Sequence, residues 1–233
     1  MMHRKYFSTY DFATVLAIGV LAINSTAAVA APRLAATQVQ IVDEAMCCAG
    51  CARKVSGQLY ATRGVKEVGV DMKSRTLTVS LPESTPAMLG QLWHAVEKGE
   101  GTPTKLVTAE ATYTLLSPKV DPTNPQPRVA SPLTIVIDNL HCQGCAKKIA
   151  AQIYTLKGVT KVSVDMKKGM LFVETHRDVQ ISPWALVDAV SKAKERPLAI
   201  LGSHGELRVE YASKAAAKNH HQAQQTNLGG LQR

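Results

Sequence analysis

The strongest constraint on how this chain can fold is that it carries the same segment twice. Met46-Cys47-Cys48-Ala49-Gly50-Cys51 returns as Leu140-His141-Cys142-Gln143-Gly144-Cys145, displaced by 94 positions. The displacement holds without a gap through the residues that follow. Matched pairs include Ala52/Ala146, Lys54/Lys148, Gln58/Gln152, Tyr60/Tyr154, Gly64/Gly158, Val68/Val162, Asp71/Asp165, Leu77/Leu171 and Val79/Val173. A chain built this way must fold one small module two times, and each copy offers two thiols about one helical turn apart.

The first thirty residues read as a secretory signal peptide (1–30). Arg4 and Lys5 form a basic start, Ala13 to Ile23 is an uncharged apolar run, and Ala28-Val29-Ala30 offers an A-x-A cleavage site. The run is too short to cross a bilayer, which takes about 20 residues. No cysteine stands at the junction, which argues against a lipoprotein. The mature protein is expected to be exported, periplasmic or extracellular, monomeric and without stable membrane insertion. Export also directs the reading of the five cysteines, since thiols outside the cytoplasm tend towards disulfides. A disulfide scaffold would spread its cysteines over distant elements, whereas here four of the five lie in two local C-x-x-C pairs. The formal charge of +9 is scattered among acidic residues, with no long basic run, so nucleic acid is excluded as a partner.

Composition divides the rest. Pro118, Pro122, Pro125 and Pro127 mark residues 117–131 as a semi-extended linker. It separates a first module, 36–116, from a second, 132–202. The tail, 203–233, becomes rich in Ala, Gln, Asn and Lys from Ser213 and is expected to be largely disordered.

Within the second module, Leu133 to Ile137 is short and β-branched and reads as a strand. After the cysteine loop, Ala146, Ile149 and Ile153 fall at helical spacing, with Lys147 and Lys148 facing outward, and Gly158 ends the helix. Val162 and Val164, then Leu171 and Val173, alternate as two strands around a turn. Ser182-Pro183 supplies an N-cap and a first-turn proline for a second helix with Leu186, Val187 and Val190. Pro197 to Leu201 closes the sheet. The first module repeats this order from Gln38 to Val107, with Thr85-Pro86 opening its second helix. The order β-α-β-β-α-β predicts a split βαβ arrangement in each copy, an α+β fold with both helices on one face of a four-stranded antiparallel sheet.

In that order each C-x-x-C lies where the first strand meets the first helix. A helix N-terminus presents free N–H groups and a positive dipole end, which lower a thiol pKa. Two thiolates at this spacing can chelate one soft cation. Two sulfurs per loop suit low-coordinate Cu(I) or Hg(II) better than structural zinc, which takes four closed ligands. Gly50 and Gly144 are read as letting the loop bend so that both sulfurs face outward.

These modules resemble heavy-metal-associated domains, the ferredoxin-like fold of copper chaperones, mercury-scavenging proteins and the N-terminal segments of metal-transporting ATPases. Met46-x-Cys48-x-x-Cys51 fits the family's Met-x-Cys-x-x-Cys loop, and Leu140-x-Cys142-x-x-Cys145 replaces its Met with Leu. Cys-Ala-Arg-Lys (51–54), Cys-Ala-Lys-Lys (145–148) and the Gly-Val pairs at 64–65 and 158–159 are similar as well, and His141 to Lys148 resembles tandem plant metallochaperones. The resemblance implies two ferredoxin-like domains in tandem and metal binding at Cys48, Cys51, Cys142 and Cys145, without catalysis. Cu(I) is favoured, with Hg(II), Zn(II) or Cd(II) as other candidates. The partner would be a metal donor or acceptor protein, such as a transporter or another metallochaperone. Family members also carry a Lys, Tyr or Phe near the loop, before the last strand. The displacement puts Glu100 there in the first module and Lys194 in the second. A lysine offsets a bis-thiolate's negative charge and a glutamate opposes it, so the second site is expected to hold a monovalent metal more firmly.

Other chemistry stays open at this level. The same cysteines would serve an extracytoplasmic dithiol–disulfide oxidoreductase, although no Trp-Cys-Gly-Pro-Cys-like sequence is present. They would also form resting local disulfides, or belong to an adaptor that binds a protein partner. Cys47 is either a third thiol or, by preference, a small packed residue, and His141 is read as solvent-facing. Met46 and Leu140 are expected to plug the core beneath the loops. Tyr60, Tyr154, Trp93 and Trp184 are read as packing residues. No Ser/His/Asp set, phosphate-binding glycine loop or paired-carboxylate motif appears.

Overall fold

The structure, a computed structural model, describes residues 34–117 and 133–212. The signal-peptide reading, nearly all of the linker and the tail beyond residue 212 therefore lie outside the described residues. The first module runs β1 (Gln38–Asp43), α1 (Ala49–Tyr60), β2 (Glu67–Asp71), β3 (Thr76–Ser80), α2 (Pro86–Lys98), β4 (Pro103–Val107) and β5 (Ala111–Leu116). The second runs β6 (Leu133–Ile137), α3 (Gln143–Tyr154), β7 (Val159–Asp165), β8 (Met170–Thr175), α4 (Pro183–Lys192), β9 (Pro197–Gly202) and β10 (Gly205–Tyr211). Both copies thus hold the expected βαββαβ order with antiparallel pairing, and each gains a fifth strand that the sequence reading did not assign.

The local signals act as their chemistry requires. β1 alternates so that Val39 and Ile41 face the helices, fully buried. Thr85 Oγ1 accepts the Met88 N–H, and Ser182 Oγ accepts the Trp184 N–H, capping α2 and α4 just before their first-turn prolines. Ala52, Val55 and Leu59 on α1, and Ala146, Ile149 and Ile153 on α3, form the buried faces.

The fifth strands carry each copy past the last strand expected for it, and β10 lies in the segment assigned to the tail, before the Ser213 at which disorder was expected. Leu207 and Val209 are buried on β10. β10 pairs with β9 on one side and with β5 on the other, from Glu206↔Leu116 to Tyr211↔Ala111. One sheet therefore runs through both copies in the order β2-β3-β1-β4-β5-β10-β9-β6-β8-β7. That order is a palindrome of the two modules, so β5 and β10 cover the two edges that β4 and β9 would otherwise leave open.

The helical layer is continuous too, and its seam breaks the symmetry. The 94-residue displacement superposes Leu92 on Leu186 and Val96 on Val190, all buried, and puts Gly90 where the second copy has Trp184. Those two residues face each other. A Cβ built on Gly90 would come within 2.8 Å of the Trp184 Cβ, so α2 approaches α4 only because residue 90 has no side chain. Trp184 also packs on Trp93 (centroids 5.3 Å apart) and on Tyr113 of β5 (5.1 Å). The indole reading as core packing agrees with these contacts. Tyr60 and Tyr154 behave differently: about half exposed, each accepts a strand N–H through its hydroxyl, from Val68 (3.1 Å) and Val162 (3.0 Å).

Candidate metal centre

The first loop is built outward from a buried plug. Met46 is almost wholly buried under the loop, as Leu140 is under the second. Cys48 is the N-cap of α1 in an extended conformation (φ −152°, ψ 164°), and its sulfur accepts the Cys51 N–H at 3.4 Å. A thiolate sulfur therefore does the work of a capping oxygen at the positive end of the helix. The Cys51 sulfur lies 3.2 Å from that of Cys48 and 3.7 Å from that of Cys47. Cys47 and Cys48 are exposed and Cys51 is half-exposed. The Cys48 thiol is lowered to about 7, chiefly by the Cys51 N–H, then by the Cys51 thiol and the Gly50 N–H. The Cys51 thiol is raised, chiefly because it donates to Cys48 and then by its contact with Cys47. Cys48 is thus the more readily ionised sulfur of the pair.

The second loop repeats the backbone with different chemistry. Cys142 caps α3 (φ −137°, ψ 145°) and its sulfur accepts the Cys145 N–H at 3.0 Å. Cys142 and Cys145 are joined as a disulfide. His141, at the place of Cys47, is exposed, and its Nδ1 lies 2.8 Å from the carbonyl of Asn139. The expected solvent-facing His141 is found. The ring still lies close enough that His141, Cys142 and Cys145 form one compact donor group, as Cys47, Cys48 and Cys51 do. The preference for Cys47 as a packed non-ligand is overturned in one respect, since its side chain is exposed and turned towards the other sulfurs.

Two expectations about the surroundings change. Gly50 and Gly144 sit inside the first turn of a helix, and a Cβ on either would rest 3.6 and 3.8 Å from the Cys48 and Cys142 sulfurs. Their backbones do not need glycine; the missing side chains leave the flank of each sulfur clear. Glu100 does not face the thiolates alone. Its carboxylate pairs with Lys54 at 2.6 Å, and Glu100 raises the Lys54 pKa, with smaller contributions from Cys51 and Cys48. Lys54 therefore spends its charge mainly on the carboxylate, with a weaker electrostatic influence on the two sulfurs. Glu100 and Lys194 do hold equivalent backbone positions, with φ of 66° and 64°. The prediction of a weaker first site rested on an unpartnered Glu100 and loses that support.

Sequence reasoning also missed what lies behind the first loop. Asp43, at the end of β1, is fully buried, and its Oδ1 accepts N–H groups from Ala45 (3.1 Å) and Thr102 (2.7 Å). It ties the entry to the cysteine loop to the turn that carries Glu100. The same place in the second copy is Ile137, and the neighbouring Asp138 instead lies 3.9 Å from Arg196, which stacks on Tyr211 of β10. An acid in phase with Val39 and Ile41, on the apolar side of an alternating strand, was the available signal.

Among known proteins, the family model for the heavy-metal-associated domain matches residues 44–101 and 134–196, more than half of the chain. The chain belongs to the heavy-metal-associated domain family, in two copies. Curated relatives include heavy metal-associated isoprenylated plant protein 8 of Arabidopsis thaliana, 26% identical over 75% of this chain and 65% of the relative. Isoprenylated plant protein 9 of the same organism is 25% identical over 66% of this chain and 46% of the relative. The chain thus spans less than two thirds of the length of these relatives. A solved structure of the water-soluble region of the P-type ATPase CopA from Bacillus subtilis also matches. It is 18% identical, with a TM-score of 0.30, over 69% of this chain and 88% of that one. Two tandem metal-binding modules, each with a cysteine group able to hold an ion, is what sequence, fold and family agree on. No helix among the described residues is long and apolar enough to cross a membrane.

Proposed function

We propose that this chain is an exported carrier or buffer of a soft metal, Cu(I) before Hg(II), Zn(II) or Cd(II), with one binding loop in each module. Cys48 and Cys51 hold one ion and Cys142 with Cys145, once reduced, the other. The observation that carries this reading is the sulfur pair 3.2 Å apart at the N-terminus of α1, with one sulfur capping the helix. There a thiolate exists near neutral pH, open to solvent, on a backbone that needs no rearrangement to present it. Because the sulfurs are exposed, an incoming cysteine pair from a donor or acceptor protein can displace them one at a time, so metal passes by ligand exchange through mixed-sulfur intermediates. A metal transporter or a second metallochaperone is the partner this chemistry fits. Export rests on the basic start, apolar run and Ala28-Val29-Ala30 of the sequence.

The experiment is native mass spectrometry of the reduced protein titrated with Cu(I) and, separately, Zn(II). Two tightly held Cu(I) ions per chain support the reading; zinc retained in preference to Cu(I) contradicts its metal. Intact mass of protein from its native host tests export, since a chain that still includes Met1 is not processed. The disulfide between Cys142 and Cys145 favours a second reading, a dithiol oxidoreductase, for the second module. Insulin reduction without metal retention would select it.

A further inference from the structure

We infer that the first loop is a three-thiolate site, with Cys47 as its third ligand, matched to a trivalent thiophilic ion of the arsenic(III) class. The inference rests on the metal-binding reading of Cys48 and Cys51 and adds a ligand and a coordination number to it. Three observations carry it. The sulfurs of Cys47, Cys48 and Cys51 all lie within 4.8 Å of one another, with Cys51 3.2 Å from one and 3.7 Å from the other. Cys47 and Cys48 are exposed and Cys51 half-exposed, so no core packing has to be broken to turn the three sulfurs onto one ion. The second loop has the same backbone frame but carries His141 in place of Cys47, with its Nδ1 at the Asn139 carbonyl. The third thiol is therefore particular to the first copy.

Charge selects the ion. Three thiolates around Cu(I) leave two negative charges on the site, and around a divalent ion one. The nearby Lys54 is already paired with Glu100 at 2.6 Å, so it brings little net positive charge. A trivalent ion leaves the site neutral and needs no counter-charge. The reaction balances without a redox step. One arsenous acid and three thiols give an arsenic trithiolate and three waters; three S–H and three As–O bonds break, and three As–S and three O–H bonds form. Each proton leaves in water.

The test uses the full chain carrying Cys142→Ser and Cys145→Ser, fully reduced and incubated with arsenite, and reads intact mass under native conditions. The account expects one arsenic in place of three protons. Cys47→Ser in the same background should bind arsenic with a retained hydroxyl in place of two protons, and about a hundred-fold more weakly, as expected when one arm of a chelate is lost. Arsenic held with a hydroxyl in both proteins, at equal affinity, overturns the third ligand while leaving Cys48 and Cys51 as a pair. Failure to bind either arsenite or Cu(I) would instead overturn the underlying metal assignment. Circular dichroism of the Cys47→Ser chain, expected to be unchanged because the side chain is exposed, separates ligand loss from unfolding.

Discussion

The two cysteine loops share a backbone and differ in nearly everything that touches the sulfurs. Cys48 and Cys142 cap their helices in the same extended conformation, over buried Met46 and Leu140. Around that frame the first loop has a third thiol, a buried Asp43 brace and the Lys54–Glu100 pair. The second has His141, an apolar Ile137 at the brace position and a disulfide. Duplication has kept what the fold needs and released what the ion senses. The helical seam teaches the same lesson. Identical residues at 90 and 184 would leave either a void or a collision, and the Gly90/Trp184 pair resolves it by divergence.

The seam should give the largest effect. Trp184→Ala removes the indole that contacts Trp93 and Tyr113, with an expected loss of about 3–5 kcal/mol in urea denaturation. Gly90→Ala forces a methyl against the Trp184 Cβ and should cost about 1–3 kcal/mol. If both variants unfold at the wild-type midpoint, the two modules do not pack as one layer.

Reactivity should separate the cysteines next. In reduced, metal-free protein Cys48 is lowered to about 7, so its thiolate fraction climbs as pH rises through 7 and falls away below it. Iodoacetamide followed by peptide mapping should modify Cys48 first, with a half-maximal rate near pH 7. Cys51, whose thiol is raised, should react only at more alkaline pH. Equal rates for Cys48 and Cys51 across pH 6 to 9 would remove that difference between the two sulfurs.

Much of this was legible in the sequence because the repeat states each element twice, and the helix caps at Thr85 and Ser182 sit where their chemistry put them. The strand β10 was not. Its Leu207, Val209 and Tyr211 alternate with Glu206, Arg208 and Glu210 and it forms a tight hairpin with β9, a local signal that went unread; its pairing with β5 joins the two copies, and no period within one copy reveals that. The Lys54–Glu100 pair spans 46 positions and escaped for a similar reason, since alignment of repeats compares equivalent places and not contacts.

The brace behind the first loop should weigh less than the seam. Asp43→Ala leaves the N–H groups of Ala45 and Thr102 without their acceptor, with an expected cost of about 1–3 kcal/mol. The same denaturation assay reads it, and no loss would mean that the loop entry does not depend on the brace. The smallest effect belongs to Glu100→Gln. Breaking an ion pair this exposed should leave stability nearly unchanged. The freed Lys54 should also lower the Cys48 pKa slightly, which the alkylation profile would show as a shift to lower pH; a shift to higher pH would mean that Lys54 does not serve the thiolates.

The claim at the centre is that each module holds its own ion through its own cysteine pair, and counting ions per chain tests it most directly. Three reduced full-length proteins would be titrated with Cu(I) against a competing chelator: the wild type, Cys48→Ser with Cys51→Ser, and Cys142→Ser with Cys145→Ser. The account predicts two equivalents in the first and one in each of the others. Two equivalents retained in either double variant, or none in the wild type, would contradict it.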